Sequence, residues 1–307
     1  MPTRWDPASP ELVLAIVCYA DILGFRAMTE EAQARGEQGE FLRRVKRSLA
    51  TVYGEVRDSA KHAGPDRHRF DVKVFTDNIV VAYPLLYPTS DLGEPELGDM
   101  LILFAQVQAR LAADGFFLRG AITVGQHYQD QDIAYGEALL EAVDLDKSGD
   151  PPRLVIGSSL EPLIAEHLSW YGGEAPHHSS LLEDPRDERL FVNYLEVAYE
   201  DFPDAPVEHA LLAAHQGHVL RGLRESESGS SVRAKYAWAA TYHDYVCSTL
   251  AHQYQPHRGD GADFEYAAAA REAQKALDHL VPLKAEPHGQ PPRPLDEQRL
   301  RGRLAAT

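Results

Sequence analysis

Residues 12–25 read LVLAIVCYADILGF. The first part is a continuous apolar run rich in Val and Ile, and it reads as a strand buried on both faces. The run stops at Asp21, and Gly24 then marks a sharp turn. A carboxylate ending a buried strand is costly unless positive charge meets it. A long, charge-laced helical pattern follows over 28–60, with breaks expected near Gly36 and Gly39. After a loop at 61–68, two short strands are expected at 70–75 and 79–83. Thr76, Asp77 and Asn78 sit at the hairpin turn between them.

Further along, 98–114 has helical apolar spacing at Leu101, Phe104, Val107 and Leu111, with Gly115 as its stop. Strands are expected at 117–124, 153–156 and 190–197, and a short helix at 134–145. The order strand, helix, two strands, helix, strand is the split arrangement of a ferredoxin-like α+β sheet. After Pro203 the texture changes to amphipathic helices over 207–223, 232–251 and 264–280. The expected organisation is a core over 1–202, a helical extension over 203–283 packed on or beside it, and a flexible, proline-rich tail over 284–307.

With 307 residues, 44% of them hydrophobic, the chain has room for one large domain or a domain with an appendage. Its formal charge of −17 disfavours broad binding to nucleic acid or anionic membrane. A small anionic ligand stays possible, because metal ions and local cations can reverse the field in one cleft. Only Cys18 and Cys247 occur, so a disulfide framework is not expected and a reducing cytoplasm is the simpler setting. Residues 1–10 are polar and unlike a signal peptide, and no apolar stretch approaches the roughly 20 residues that span a bilayer. His215 and His218 are spaced i, i+3 on a helix without an evident third ligand, and His177 and His178 lie in a turn-rich loop; all four read as surface residues.

Asp21 and Asp77 are the residues that point to chemistry. Neighbouring strands could bring both carboxylates to one sheet edge, where they suit hard divalent ions. Backbone N–H groups of Leu23, Gly24 and Phe25, leading into a helix, could cradle phosphates. The plainer alternative is that Asp21 caps that helix and Asp77 only turns a hairpin. Arg119 lies between Leu118 and Gly120 in an otherwise apolar strand; it is either a surface strand residue or an anion contact.

YADILGF (19–25) resembles the metal-binding opening of class III nucleotidyl cyclases, and FTDNIVVAY (75–83) resembles their second metal-binding hairpin. LRGAITVG (118–125) and AYGEALLEA (134–142) resemble two further family segments, in family order. LFVNYL (190–195) and VRAKYAWAATYHDY (232–245) make the chain more closely similar to the bacterial Pycsar pyrimidine cyclases. The resemblance implies a class III catalytic core and two magnesium or manganese ions held by Asp21, Asp77 and the Ile22 carbonyl. It also implies a homodimer with sites at the interface, Arg119 on the triphosphate, and conversion of UTP to cyclic UMP and pyrophosphate in antiphage defence. Cytidylate or purine cyclisation, or nucleotide sensing by a degenerate cyclase, are its alternatives. Lys73 stands where purine cyclases carry a base-contacting lysine, although an outward strand lysine is the plainer reading; Asp132 is offset by one from the partner position. Tyr53 could close the base pocket, against a core or interface role. The family's transition-state asparagine and arginine are replaced by Leu140 and Asp144, so either other cations such as Arg26 or Lys147 supply the charge or the protein binds nucleotide without turning it over.

Overall fold

The computed structural model describes residues 5–62, 71–75, 77–85, 92–130, 132–147, 151–173, 180–198, 209–253, 275, 280 and 289–306. Among these, nine strands form one sheet, numbered in chain order. The strands that frame the site are β1 (Val13–Ile22), β2 (Asp71–Phe75), β3 (Asn78–Pro84) and β4 (Leu118–Gln129). The last five are β5 (Ala134–Gly136), β6 (Leu154–Ile156), β7 (Leu181–Glu183), β8 (Leu190–Val192) and β9 (Arg293–Pro294). The spatial order is β2-β3-β1-β4-β6-β8-β7-β9, with β5 paired to β4. The four framing strands pair antiparallel with one another, whereas the next strand in the sheet runs parallel to β4. With helices α1 (Phe25–Arg35) and α2 (Gln38–His62) between β1 and β2, and α3 (Glu94–Ala113) between β3 and β4, they make the split βαβ arrangement expected from the sequence.

Strand β1 is buried on both faces because its alternate residues enter two different clusters. Ile16, Cys18, Ala20 and Ile22 join the main core with Met100, Leu101 and Phe104 of α3. Ala15 and Val17 face a second layer with Trp5, Val80, Ala82 and Tyr128, and Tyr19 packs beside it. Helix α4 (Glu137–Asp146) covers this second face through Ala138 and Ala142. Period-two alternation therefore places Asp21, like Tyr19, on the α4 side of the sheet.

Several element boundaries differ from the sequence expectation for tertiary reasons. Gly36 ends α1 in a left-handed conformation (φ 71°), whereas Gly39 lies inside α2. The stretch expected as helix over 134–145 opens with β5 (Ala134–Gly136), paired to β4, before α4 begins. The strand expected over 190–197 is only β8 (Leu190–Val192), and a 3-10 helix (Tyr194–Ala198) follows it. Strands β6 (Leu154–Ile156) and β7 (Leu181–Glu183) and helix α5 (Glu161–Trp170) extend the framework. Residues 289–306, expected as a flexible tail, contain β9 (Arg293–Pro294), paired with β7, and α8 (Glu297–Ala306), with Leu300 fully buried. Arg303 of α8 reaches the buried Glu183 at 2.8 Å, an ion pair between distant segments that proline content could not reveal. The helix expected over 264–280 lies outside the described residues apart from Lys275 and Leu280, and His177 and His178 lie outside them altogether.

Helices α6 (His209–Glu225) and α7 (Ser231–Gln253) match two of the amphipathic patterns and pack on the main core. His215 is not a surface residue: it is fully buried, its ring stacked on that of His243 at 5.1 Å. The two Nδ1 atoms are 3.1 Å apart, His243 Nε2 is 3.3 Å from the Leu280 carbonyl, and His215 Nε2 is 2.8 Å from the Tyr194 hydroxyl. A carbonyl can only accept, so His243 carries its proton on Nε2 and its Nδ1 accepts from His215. His215 Nε2 then accepts from Tyr194. Burial pushes both imidazoles down, His243 to about 4, so this chain of neutral groups persists at neutral pH. His218 is half-buried beside Arg44 and Gly115. Cys18 and Cys247 are both free and buried. Among the described residues no helix is long and apolar enough to cross a membrane.

A second buried network ties α7 to the sheet. Arg153, with no exposed side-chain surface, donates to Asp184 at 2.7 Å and also bonds Asp187. Asp184 further accepts from Arg186 (2.6 Å) and from the Trp238 indole (2.7 Å). Burial alone would raise the Asp184 pKa, but Arg186 and Arg153 outweigh it and hold the carboxyl below its usual value. Stripping away that carboxylate leaves buried donors unpaired, a change that costs about 3–5 kcal/mol. Asp184→Ala is therefore expected to lower unfolding free energy by about that amount in urea titrations, and the gap to wild type should narrow as pH falls through the depressed carboxyl pKa.

Candidate functional site

The site forms where β1 ends. Asp21 lies opposite Asn78 on one side and Arg119 on the other. The Ile22 N–H donates to the Asp77 carbonyl at 3.2 Å, which locks the β2–β3 turn against the end of β1. The two aspartates expected to meet at a sheet edge are thus neighbours in space. Cross-strand partners share a face, so Arg119 projects with Asp21. Its Nε and Nη2 both donate to Asp21 Oδ2, at 3.1 and 3.0 Å.

Gly120 makes this approach possible. A Cβ there would lie 2.0 Å from the Tyr19 carbonyl oxygen, and its φ of 147° suits glycine alone. Arg119 also meets a carboxylate that sequence reading did not single out: Asp146, the last residue of α4, at 3.2 Å. Its signal was weak because an aspartate in DLDK looks like part of a solvated charge run. Only the packing of α4 on the sheet turns it inward, where it is buried.

Burial pushes the Asp21 pKa up to about 6, against the hydrogen bonding and charge of Arg119 and with help from the Asp146 and Asp77 carboxylates. Tyr19, hydrogen-bonded to Asn78, is raised to about 12 by burial and then by Asp146, Asp21 and Asp77. The centre is therefore a desolvated carboxylate cluster in which Arg119 is the cation bonded to Asp21 and paired with Asp146. Hard oxygen donors at such a place fit a magnesium or manganese ion. Among the described residues no three His, Cys, Asp or Glu side chains are gathered to hold a metal. The set on offer is accordingly the Asp21 and Asp77 carboxylates with the Ile22 carbonyl.

The phosphate-binding expectation needs one correction. The Leu23 N–H is engaged by the Phe117 carbonyl at 2.8 Å and cannot also cradle an anion. Gly24, in a left-handed conformation (φ 74°), sits at the N-cap of α1 with no side-chain cap hydrogen bond, so the Gly24 and Phe25 N–H groups open the helix. Arg26 and Lys147, the proposed substitutes for a transition-state cation, are exposed and paired with Glu30 and Asp144. Leu140 is 64% exposed on α4. Lys73 is buried and opposite Val80, which places it on the α4 side of the sheet instead of outward. Its charge acts on the Asp130 carboxylate, and Asp132 is exposed. Asp130 is held by the Tyr128 hydroxyl (2.6 Å) and the N–H groups of Asp132 and Ile133, which lower its pKa in that company. Beside this cluster His127 and Gln129 are fully buried. The Tyr53 side chain is outside the described set.

No protein-family model and no curated protein matches this sequence. Solved structures similar in shape include two cyclases. The adenylyl cyclase CyaB from P. aeruginosa is 14% identical, with 52% of this chain and 83% of that one covered and a TM-score of 0.38. The guanylyl cyclase Cya2 is 15% identical, with 60% and 92% covered and a TM-score of 0.36. Likeness at this level decides nothing about the chemistry, which rests on the chain's own geometry.

The raised Asp21 pKa has a consequence for stability. Between about pH 4 and 6 the folded chain keeps a proton that the unfolded chain has lost, so stability falls as pH rises through that window. At neutral pH the penalty is at most about 3 kcal/mol, at 1.36 kcal/mol per pKa unit. In EDTA at pH 7.5, Asp21→Asn is expected to melt at a higher temperature than wild type, and the gap should close near pH 4.

Proposed function

We propose that this chain is a metal-dependent nucleotidyl cyclase that converts UTP to cyclic UMP and pyrophosphate. The observation that carries the reading is the meeting of Asp21 and Asp77 beside the side-chain-uncapped N-terminus of α1, with Arg119 on the Asp21 carboxylate. Divalent ions there would supply Lewis-acid activation of the ribose 3′-hydroxyl and neutralise the triphosphate. Asp21, Asp77 and the Ile22 carbonyl would hold them. The first N–H groups of α1 and the Arg119 guanidinium would orient the phosphates for in-line displacement. The 3′-oxygen forms a bond to the α-phosphorus as the bond to the β-phosphate oxygen breaks; pyrophosphate leaves and the 3′-hydroxyl proton passes to solvent.

On the α4 side of the sheet, Lys73 and Asp130 would present a cation and a carboxylate to the base. Selection of a pyrimidine, and a role in antiphage defence, rest on the similarity of residues 190–195 and 232–245 to the Pycsar enzymes. The reading includes a homodimer. Ile133 just before β5, Tyr135 on it and Leu140 on α4 leave apolar surface exposed, which a second copy would cover. Leu140 and Asp144, standing where purine cyclases have a transition-state asparagine and arginine, favour one rival, a nucleotide sensor without turnover.

Incubation of the purified full chain with each of the four NTPs and Mn2+, with products identified by mass spectrometry, tests the reading. Cyclic UMP is the expected product, lost in Asp77→Asn while the melting temperature holds. A cyclic purine would keep the metal site and reject the pyrimidine. Binding of NTP without any product would favour the sensor.

A further inference from the structure

Arg119 has two carboxylates in reach and hydrogen-bonds one of them. Both Nε and Nη2 donate to the same Asp21 oxygen, while Asp146 Oδ1 lies 3.2 Å from that same Nε as an ion pair. Asp146 carries its charge in an unfavourable place. It closes α4, where the backbone carbonyls already concentrate negative potential. It is buried, and it raises the pKa of both Asp21 and Tyr19. Among the described residues it does not complete a group of three acidic or histidine side chains that could hold a metal. The Arg119 guanidinium is a favourable charge contact for it at the site.

We propose that Asp146 is the positioning residue that takes over Arg119 when a divalent cation engages Asp21. The proposal rests on the metal-site reading above and adds a residue to it. With Asp21 committed to a cation, a guanidinium still bonded to it would be repelled and would compete for the same oxygen. Asp146 stands close enough to receive the Nε–H without movement of the backbone. It keeps the charge of Arg119 in the site and leaves the terminal N–H groups facing the triphosphate.

The test is a double-mutant cycle read as Mn2+ affinity in the absence of nucleotide, with free Mn2+ measured by electron paramagnetic resonance on the full chain. Asp146→Asn is near-isosteric, and Asp146→Ala, which removes every acceptor, is run beside it with melting curves on all variants. Either change is expected to weaken Mn2+ binding on the order of fivefold, because Arg119 then stays on Asp21. In an Arg119→Met background the same changes are expected to have little effect, because there is nothing left to hand over. An equal loss in both backgrounds would make Asp146 a mere contributor to the field and overturn the proposal alone. So would unchanged affinity in both Asp146 variants. Failure of the folded wild type to bind Mn2+ would remove the metal-site reading and the proposal with it.

Discussion

A carboxylate at the end of a strand with no solvent on either face must be compensated, and the pairing of Asp21 with Arg119 does this. Strand β1 is hydrogen-bonded on both edges and packed on both faces, so Asp21 at its end is largely withdrawn from water. The guanidinium has to come to it, which is why β4 carries Arg119 directly opposite and why Gly120 follows. Compensation is incomplete, since burial still drives the Asp21 pKa to about 6. A site left short of positive charge is one where an added cation is stabilised on arrival.

The same logic explains how an acidic protein could take a polyanionic substrate. The net charge of −17 acts over the whole surface, where salt screens it within about 8–10 Å. Local groups decide events inside the site: the Arg119 guanidinium, the opening N–H groups of α1, and whatever cation Asp21 and Asp77 hold. Lys73 and Asp130 repeat the pattern at a smaller scale, a buried cation kept in acidic company.

Away from the site, buried polar networks hold the helical extension to the sheet. Tyr194, His215 and His243 form a directed chain of hydrogen bonds ending on the Leu280 carbonyl. Arg153, Asp184 and Trp238 form a charged one. Buried groups of this kind tolerate few alternative packings, because each misplacement leaves a donor or acceptor unsatisfied. They give α6 and α7 a defined seat on the core, and the ring of His215 reaches Phe117 at the start of β4.

Local pattern was enough to read β1, the β2–β3 hairpin, α3 and the split order of elements, because alternation and turn residues are properties of neighbours in the chain. Asp21 and Asp77 were legible for the same reason: each interrupts an apolar strand pattern where a charge is conspicuous. What the sequence alone determined, then, is the framework and the two residues that break it. Asp146 became visible only when α4 lay against β4, His215 only when α6 met α7, and Asp130 only when β2 brought Lys73 beside the β4–β5 turn. The tail over 289–306 pairs its strand with β7 and seats its helix through Arg301 on the Ala165 carbonyl and Arg303 on Glu183. In each case the deciding partner is far away along the chain, and burial, which gives a charged or polar residue its meaning, is a property of the assembled fold.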